Sequence, residues 1–254
     1  AQVDVEYEYT MQVIGKEPEL DSAFSANVTA VCGLAKPALK GVITDQGKPQ
    51  LTWDAVEGAV KYEVYRSTKS NKGYTLLGEI NSTGVDDMSA ATGKTYYYKI
   101  VAVGENGKSP ESSYVKLTGK CATPMVFAEN AASGKPQLSW GKVDGAKQYT
   151  IYRASSETGK YSKLGTTKSN TYEDKKASVG KTYFYKVIAN ASSSKYNSAY
   201  SNAVSCDVIC GTPSITVKID ANTGKPSLSW KKVDGAASYA IYRDGQLLAT
   251  VTAV

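Results

Sequence analysis

One stretch of this chain returns three times at nearly constant spacing, and that repetition limits the fold more than any other feature. Gly47-Lys48-Pro49-Gln50-Leu51-Thr52-Trp53, followed by Val56, Gly58 and Ala59, recurs at Gly134 to Trp140 with Val143, Gly145 and Ala146. It recurs again at Gly224 to Trp230 with Val233, Gly235 and Ala236. Trp53, Trp140 and Trp230 lie 87 and 90 residues apart, and Cys32, Cys121 and Cys210 fall at intervals of 89. A period of this length means that one structural unit is copied, not that one core keeps growing.

Each copy continues with Tyr62-Glu63-Val64-Tyr65-Arg66, Tyr149-Thr150-Ile151-Tyr152-Arg153 or Tyr239-Ala240-Ile241-Tyr242-Arg243. A later signature, Gly93-Lys94-Thr95-Tyr96-Tyr97-Tyr98-Lys99-Ile100, is matched by Gly180 to Val187. At the N-terminus Tyr7 to Val13 aligns with Tyr183 to Ala189. The expected organisation is therefore a back half-unit at 1–34, complete units at 35–121 and 122–210, and a front half-unit at 211–254.

Within a complete unit the apolar residues alternate, as in Leu51 and Trp53, Tyr62 and Val64, or Tyr96, Tyr98, Ile100 and Ala102. Period-two alternation is the mark of a half-buried strand. Clusters of Gly, Pro, Asn, Asp and Ser punctuate these runs at 68–73 and 104–110, and no dozen residues read as an amphipathic helix. About seven short strands in under 90 residues predict an all-β fold of tandem antiparallel β-sandwiches, immunoglobulin-like in class and strung like beads.

The order of these residues resembles the fibronectin type III family along the entire chain. Trp53, Trp140 and Trp230 match its core tryptophan, and Tyr96 and Tyr183, each after Gly-Lys-Thr, match its tyrosine corner. Tyr7 is the N-terminal counterpart, after the variant Asp4-Val5-Glu6. The Val-Asp-Gly-Ala and Tyr-Arg variations look like the tandem modules of secreted and wall-anchored proteins of Gram-positive bacteria. The resemblance implies an extracellular bacterial location. It does not bring an integrin-type loop, because Arg-Gly-Asp is absent and only Tyr242-Arg243-Asp244-Gly245 comes near it.

The 254 residues contain no histidine, which excludes Ser-His-Asp and Cys-His nucleophiles, His-ligated metals and imidazole pH switches. No run of 18 or more apolar residues exists to span a membrane, and residues 1–20 lack the order of a signal peptide. The net charge of +6 comes without any Lys/Arg block, which argues against nucleic acid as partner. No cofactor is implied, and the chain reads as a non-enzyme.

A candidate binding face is formed by Tyr65, Tyr97, Arg66, Tyr152, Phe184 and Arg153. The only arginines, Arg66, Arg153 and Arg243, stand at one place in the unit, against 27 scattered lysines. A planar guanidinium selected at one site is used for stacking or for carboxylate pairing, either as a structural rim contact or toward a ligand. Alternation along a strand puts Tyr65 outward if Tyr62 and Val64 face the core, and Tyr97 outward beside Tyr96 and Tyr98. Tyr65 with Tyr97, and Tyr152 with Phe184, are then either cross-strand pairs stabilising the sheet or an aromatic patch for a sugar or partner protein.

Cys32, Cys121 and Cys210 sit at junctions and Cys206 lies four residues before Cys210, a separation too long for a bridge in extended chain. Small junction fillers are the expected role, with an interchain bridge as the alternative. Asp86-Asp87 and Glu173-Asp174, the nearest thing to an acidic cluster, read as turn-capping residues before calcium ligands or a glycosidase pair. Asn27, Asn81 and Asn190 each open an Asn-X-Ser/Thr triplet to which no role is attached.

Three functions are compatible with this reading. The first is a non-catalytic spacer of a bacterial surface protein, an adhesion stalk or filament building block. The second is a module that binds a glycan or host protein, and the third an accessory portion of a large secreted glycosidase. The expected contacts are neighbouring repeats of the same chain or, by head-to-tail completion of half-units, other copies. About 13 residues would separate 254 from 1 in a virtual continuation at the 89-residue period, and an intact native mass near 27 kDa would exclude a longer array.

Overall fold

The computed structural model describes residues 1–252; Ala253 and Val254, the last two of the expected half-unit 211–254, lie outside the described residues. Among the described residues there is no α-helix, only two short 3-10 turns at Pro18–Leu20 and Ser194–Tyr196. The chain divides into two compact units, Ala1–Lys120 and Cys121–Val254. The fold is all-β, as the alternation predicts.

In the first unit the strands are β1 (Glu6–Tyr9), β2 (Val28–Val31), β3 (Lys40–Ile43), β4 (Pro49–Thr52), β5 (Lys61–Ser67), β6 (Thr75–Ile80), β7 (Gly84–Asp86), β8 (Thr95–Val103) and β9 (Val115–Thr118). β1 and β2 form a hairpin, β3-β4-β7 a three-stranded sheet and β6-β5-β8-β9 a four-stranded one, all antiparallel. The second unit holds β10 (Val126–Asn130), β11 (Pro136–Trp140), β12 (Gln148–Ala154), β13 (Ser162–Thr167), β14 (Thr171–Glu173), β15 (Thr182–Asn190), β16 (Val204–Asp207), β17 (Ile215–Ile219), β18 (Pro226–Trp230), β19 (Tyr239–Arg243) and β20 (Gln246–Val251). Its sheets are β10-β11-β14 and β13-β12-β15-β16, followed by the hairpins β17-β18 and β19-β20.

Burial follows alternation. Leu51, Trp53, Tyr62, Val64, Tyr98, Ile100 and Ala102 fill the first core; Leu138, Trp140, Tyr149, Ile151, Tyr185, Val187 and Ala189 fill the second. Each tryptophan meets the next strand's tyrosine, with ring centroids 5.3 Å apart for Trp53–Tyr62, 5.1 Å for Trp140–Tyr149 and 5.4 Å for Trp230–Tyr239. The tyrosine hydroxyl then accepts the backbone N–H of Val56, Val143 or Val233 at 2.8 to 2.9 Å. Between them Gly58, Gly145 and Gly235 all adopt φ +78°, a left-handed conformation for which glycine alone carries no Cβ penalty. These contacts explain why Trp, Val, Gly, Ala and Tyr recur as a set.

A second recurring device is a pair of serines three positions apart. Ser112 Oγ accepts from Ile100 N at 3.0 Å and Ser109 Oγ from Ala102 N at 2.9 Å. Ser201 and Ser198 do the same for Val187 and Ala189, and Ser25 and Ser22 for Met11 and Val13. The hydroxyls satisfy strand N–H groups where the neighbouring segment is irregular, which matters because an unpaired buried N–H is costly. A β-bulge also repeats, between Val64 and Tyr65, Ile151 and Tyr152, and Ile241 and Tyr242.

In 211–252 the two hairpins leave their apolar side open: Ile215, Val217 and Leu228 are exposed, and Trp230, Tyr239 and Ile241 line the same cleft. All four cysteines are free; Cys121 and Cys206 are buried, Cys32 half-buried and Cys210 exposed. Burial at Cys121 fits a filler, whereas exposure of Cys210 does not.

Candidate functional site

The first candidate group is built around the arginines. Arg66 on β5 stands opposite Tyr98 and Arg153 on β12 opposite Tyr185, both inward-facing tyrosines. Arg66 Nη1 donates to Asp87 Oδ2 at 2.7 Å and its guanidinium lies 4.9 Å from the Tyr96 ring centroid. Arg153 Nη1 donates to Asp174 Oδ2 at 2.7 Å and lies 4.4 Å from the Tyr183 ring. Tyr98 and Tyr185 donate their hydroxyls to the same Oδ2 atoms at 2.7 and 3.0 Å. The arginines are thus stacked and ion-paired at the mouth of each sandwich, on the side of the strand opposite Tyr65 and Tyr152. They do not share an outer face with the tyrosines, because successive side chains of a strand alternate.

The second carboxylate of each acidic pair, Asp87 or Asp174, is accounted for by the same network. Asp87 Oδ1 accepts from Ser89 N at 3.1 Å and Ser89 Oγ at 2.7 Å, and Asp174 Oδ1 from Lys176 N at 3.1 Å. They cap turns and hold arginines. No group of three or more His, Cys, Asp or Glu is placed to hold a metal ion among the described residues.

Burial pushes the Asp87 carboxyl upward, but hydrogen bonds from Ser89, Arg66 and Tyr98 outweigh it and hold the group below its ordinary value. Burial and the bonded carboxylate push the Tyr98 and Tyr185 hydroxyls far above the ordinary phenol range. A carboxyl depressed in the folded state adds stability above its unfolded value and loses it as pH falls through the folded one. The first unit's urea midpoint is therefore expected to stay flat between about pH 5 and 8, where no histidine titrates, and to fall below about pH 4. Asp87→Asn should flatten the acid limb; a midpoint that rises on acidification would contradict this network.

The second candidate group is the outer face of the four-stranded sheets. Tyr65 lies opposite Lys99 and Tyr152 opposite Lys186, while Tyr97 and Phe184 sit one diagonal step away opposite Ser67 and Ala154. No ring contact joins Tyr65 to Tyr97 or Tyr152 to Phe184 among the described residues. Tyr97 meets Tyr114 edge-on at 5.3 Å, and Tyr152 meets Tyr200 at 5.0 Å. Tyr114 and Tyr200, each about half exposed at 49%, stand on the irregular segments before β9 and β16. Lys99 lies 4.6 Å from the Tyr74 ring and Lys186 4.5 Å from that of Tyr161. Tyr74, Tyr114, Tyr161 and Tyr200 were not expected on this face, since alternation cannot place residues outside regular strands.

The tyrosine corner is present three times. Tyr96 accepts the backbone N–H of Ala91 at 3.4 Å, Tyr7 that of Gln2 at 2.5 Å, and Tyr183 is bonded to Ser178, five residues upstream in every case. A fibronectin type III-like protein of Clostridium thermocellum is 38% identical over a region covering 32% of this chain and 88% of that one, with a TM-score of 0.31. The chain belongs to the fibronectin type III-like family. No family model matches it. The chicken interferon gamma receptor alpha chain, 14% identical, shares the fold with a TM-score of 0.54 over 68% of this chain and 98% of its own.

Among curated proteins, parts of this fibronectin type III-like chain match amylopullulanases. That of Thermoanaerobacterium saccharolyticum is 37% identical over 120 residues, 47% of this chain and 8% of the enzyme. That of Thermoanaerobacter thermohydrosulfuricus is 34% identical over 132 residues, 47% of this chain and 9% of the enzyme. A Kelch domain-containing protein of Sulfurisphaera tokodaii is 27% identical over 210 residues, 80% of this chain and 27% of its own length. The chain spans less than a tenth of the amylopullulanases it matches.

Proposed function

We propose that the chain is a non-catalytic spacer of an extracellular bacterial protein, with complete repeats at 35–121 and 122–210 between half-repeats at 1–34 and 211–254. The observation that carries this reading is a junction that recurs with the repeat. Val3 packs on Gly58 in the first unit, and Val179 packs on Gly235 in the second; each valine is the residue before the corner turn, and each glycine lies in the Val-x-Gly-Ala turn of the following repeat. In the second unit Lys135 Nζ pairs with Asp234 Oδ2 at 2.7 Å across that junction. The linkers, 120–124 and 209–213, are short and end in Pro124 and Pro213, which restrict their backbone.

The relatives support a module attached to larger proteins, because the matched stretch is a small part of each enzyme. Adhesion stalk and filament segment are two uses of the same property, length gained in stable beads. Stretching the chain between surface and tip should give two unfolding steps, each releasing about 30 nm of contour, and the same preparation should not hydrolyse pullulan or amylose. A single step, or hydrolysis, would sink the reading. Antibody access to the repeats on intact cells tests the location.

A further inference from the structure

The two complete repeats keep the same core but carry different outer faces on their four-stranded sheets. In the first repeat three ion pairs neutralise that face: Lys61–Glu79 at 2.8 Å, Lys108–Glu63 at 2.7 Å and Lys99–Glu111 at 2.7 Å. The equivalent positions in the second repeat, by strand register and by the Ser-x-x-Ser pairs, have lost every one of these carboxylates. Thr150 stands for Glu63, Thr166 for Glu79 and Tyr200 for Glu111. Lys186, which corresponds to Lys99, keeps its charge and has no carboxylate within ion-pair distance among the described residues.

Two of the lysines are lost with their partners, Gln148 standing for Lys61 and Asn197 for Lys108. The basic count is thus unchanged while the acids fall, and basic groups reappear at another edge of the sheet. Lys160 and Lys163 replace Gly73 and Leu76, and with Ser155 and Ser162 they line a shallow cleft at the β12–β13 edge, whose inner wall is Arg153, already paired with Asp174. Residues 122–210 carry 12 basic and six acidic side chains, a net +6, whereas 35–121 carry 12 and nine, a net +3. Asp207 is the one carboxylate on the four strands of this sheet; it lies at the far end and accepts a bond from Thr182 Oγ1 at 2.6 Å. Burial, and to a smaller extent Glu157 on the loop before it, raises the Tyr161 hydroxyl's pKa.

The geometry points to an anionic polysaccharide as the ligand of the outer face of β13-β12-β15-β16. Tyr200 offers a half-exposed ring for the C–H face of a sugar, held on edge by Tyr152, and the uncompensated Lys186 lies over Tyr161. Thr150, as buried as Glu63, donates its Oγ1 to Asn190 Oδ1 at 2.7 Å, so the position that carries a carboxylate in the first repeat is uncharged and satisfied here. A neutral glucan would leave Lys186, Lys160 and Lys163 unused, and a polyanion without rings would leave the aromatic cluster unused. This surface is additional to the spacer reading, which stands if it fails.

The test is binding of the 254-residue chain to immobilised polygalacturonate, alginate and hyaluronate, with pullulan as neutral control and polyglutamate as charge-only control. Binding to at least one acidic polysaccharide is expected, weakening as salt screens the lysines. Tyr200→Ala and Lys186→Gln should each weaken it about tenfold. Tyr200→Glu, which supplies the ion pair of the first repeat and so should fold with unchanged melting temperature, should abolish it. The proposal is overturned if none of the three polysaccharides binds, if pullulan or polyglutamate binds as well, or if Tyr200→Glu binds like the parent.

Discussion

Replacing Arg153 by alanine is expected to remove about 3 to 5 kcal/mol of stability from the second unit, the range for breaking a buried ion pair from one side. The size follows from which partner is left behind. Asp174 has a side chain 1% exposed, so without Arg153 its charge stays buried with only the Tyr185 hydroxyl and the Lys176 N–H for company. In the reverse change, Asp174→Ala, the guanidinium is 26% exposed and can turn to water. What remains is an unpaired buried Tyr185 hydroxyl, worth about 1 to 3 kcal/mol. Arg153→Ala should therefore lower the melting temperature by about 15 °C or more, and by more than Asp174→Ala does. Arg153→Lys should fall between wild type and alanine, because it keeps the charge but loses the planar stack on Tyr183. Thermal and urea unfolding of the three variants check the order; a milder Arg153→Ala than Asp174→Ala would show that the carboxylate is hydrated after all.

The same network shows how far residues speak before coordinates are known. The repeated arginine implied a stacked or paired guanidinium, and it is both, through one donor atom and not a two-pronged fork. Its partner was in plain view as the second residue of Asp86-Asp87 and Glu173-Asp174, but only the sheet register brings residues 21 apart into contact. Alternation placed Tyr65 outward, and the same alternation, carried one residue further, places Arg66 inward. The Ser-x-x-Ser pairs were also legible as a repeat, at 22 and 25, 109 and 112, and 198 and 201. Their role was not, because serine has no strong preference that betrays a strand edge repaired by side chains. Tyr114 and Tyr200 lay beyond reach for a different reason: they occupy non-equivalent positions of an irregular segment, so neither period nor parity aligns them.

Gly134→Ala should cost far more than a methyl group normally does. Gly134 sits at φ +74° in the turn between β10 and β11, and a left-handed alanine carries about 1 to 2 kcal/mol of strain. Its added Cβ would also meet backbone: the Ile209 carbonyl oxygen, and Gly211 N at 2.6 Å. Backbone cannot rotate away as a side chain does, so the 209–212 segment must move. That motion breaks Ile209 N–H to Gly134 O at 3.2 Å and Thr212 N–H to Ala132 O at 2.8 Å, about 1 kcal/mol each. Gly224, the equivalent glycine of the following half-repeat, has φ +64° and nothing within 4 Å of the same Cβ position, so Gly224→Ala carries the strain alone. The expected outcome is a loss of about 3 to 4 kcal/mol for Gly134→Ala against about 1 to 2 for Gly224→Ala. Only the former should open the segment around Cys210 to proteolysis, read by mass spectrometry of limited digests. Equal losses at the two glycines would mean that the linker yields freely, and the firm junction on which the spacer reading depends would lose its support.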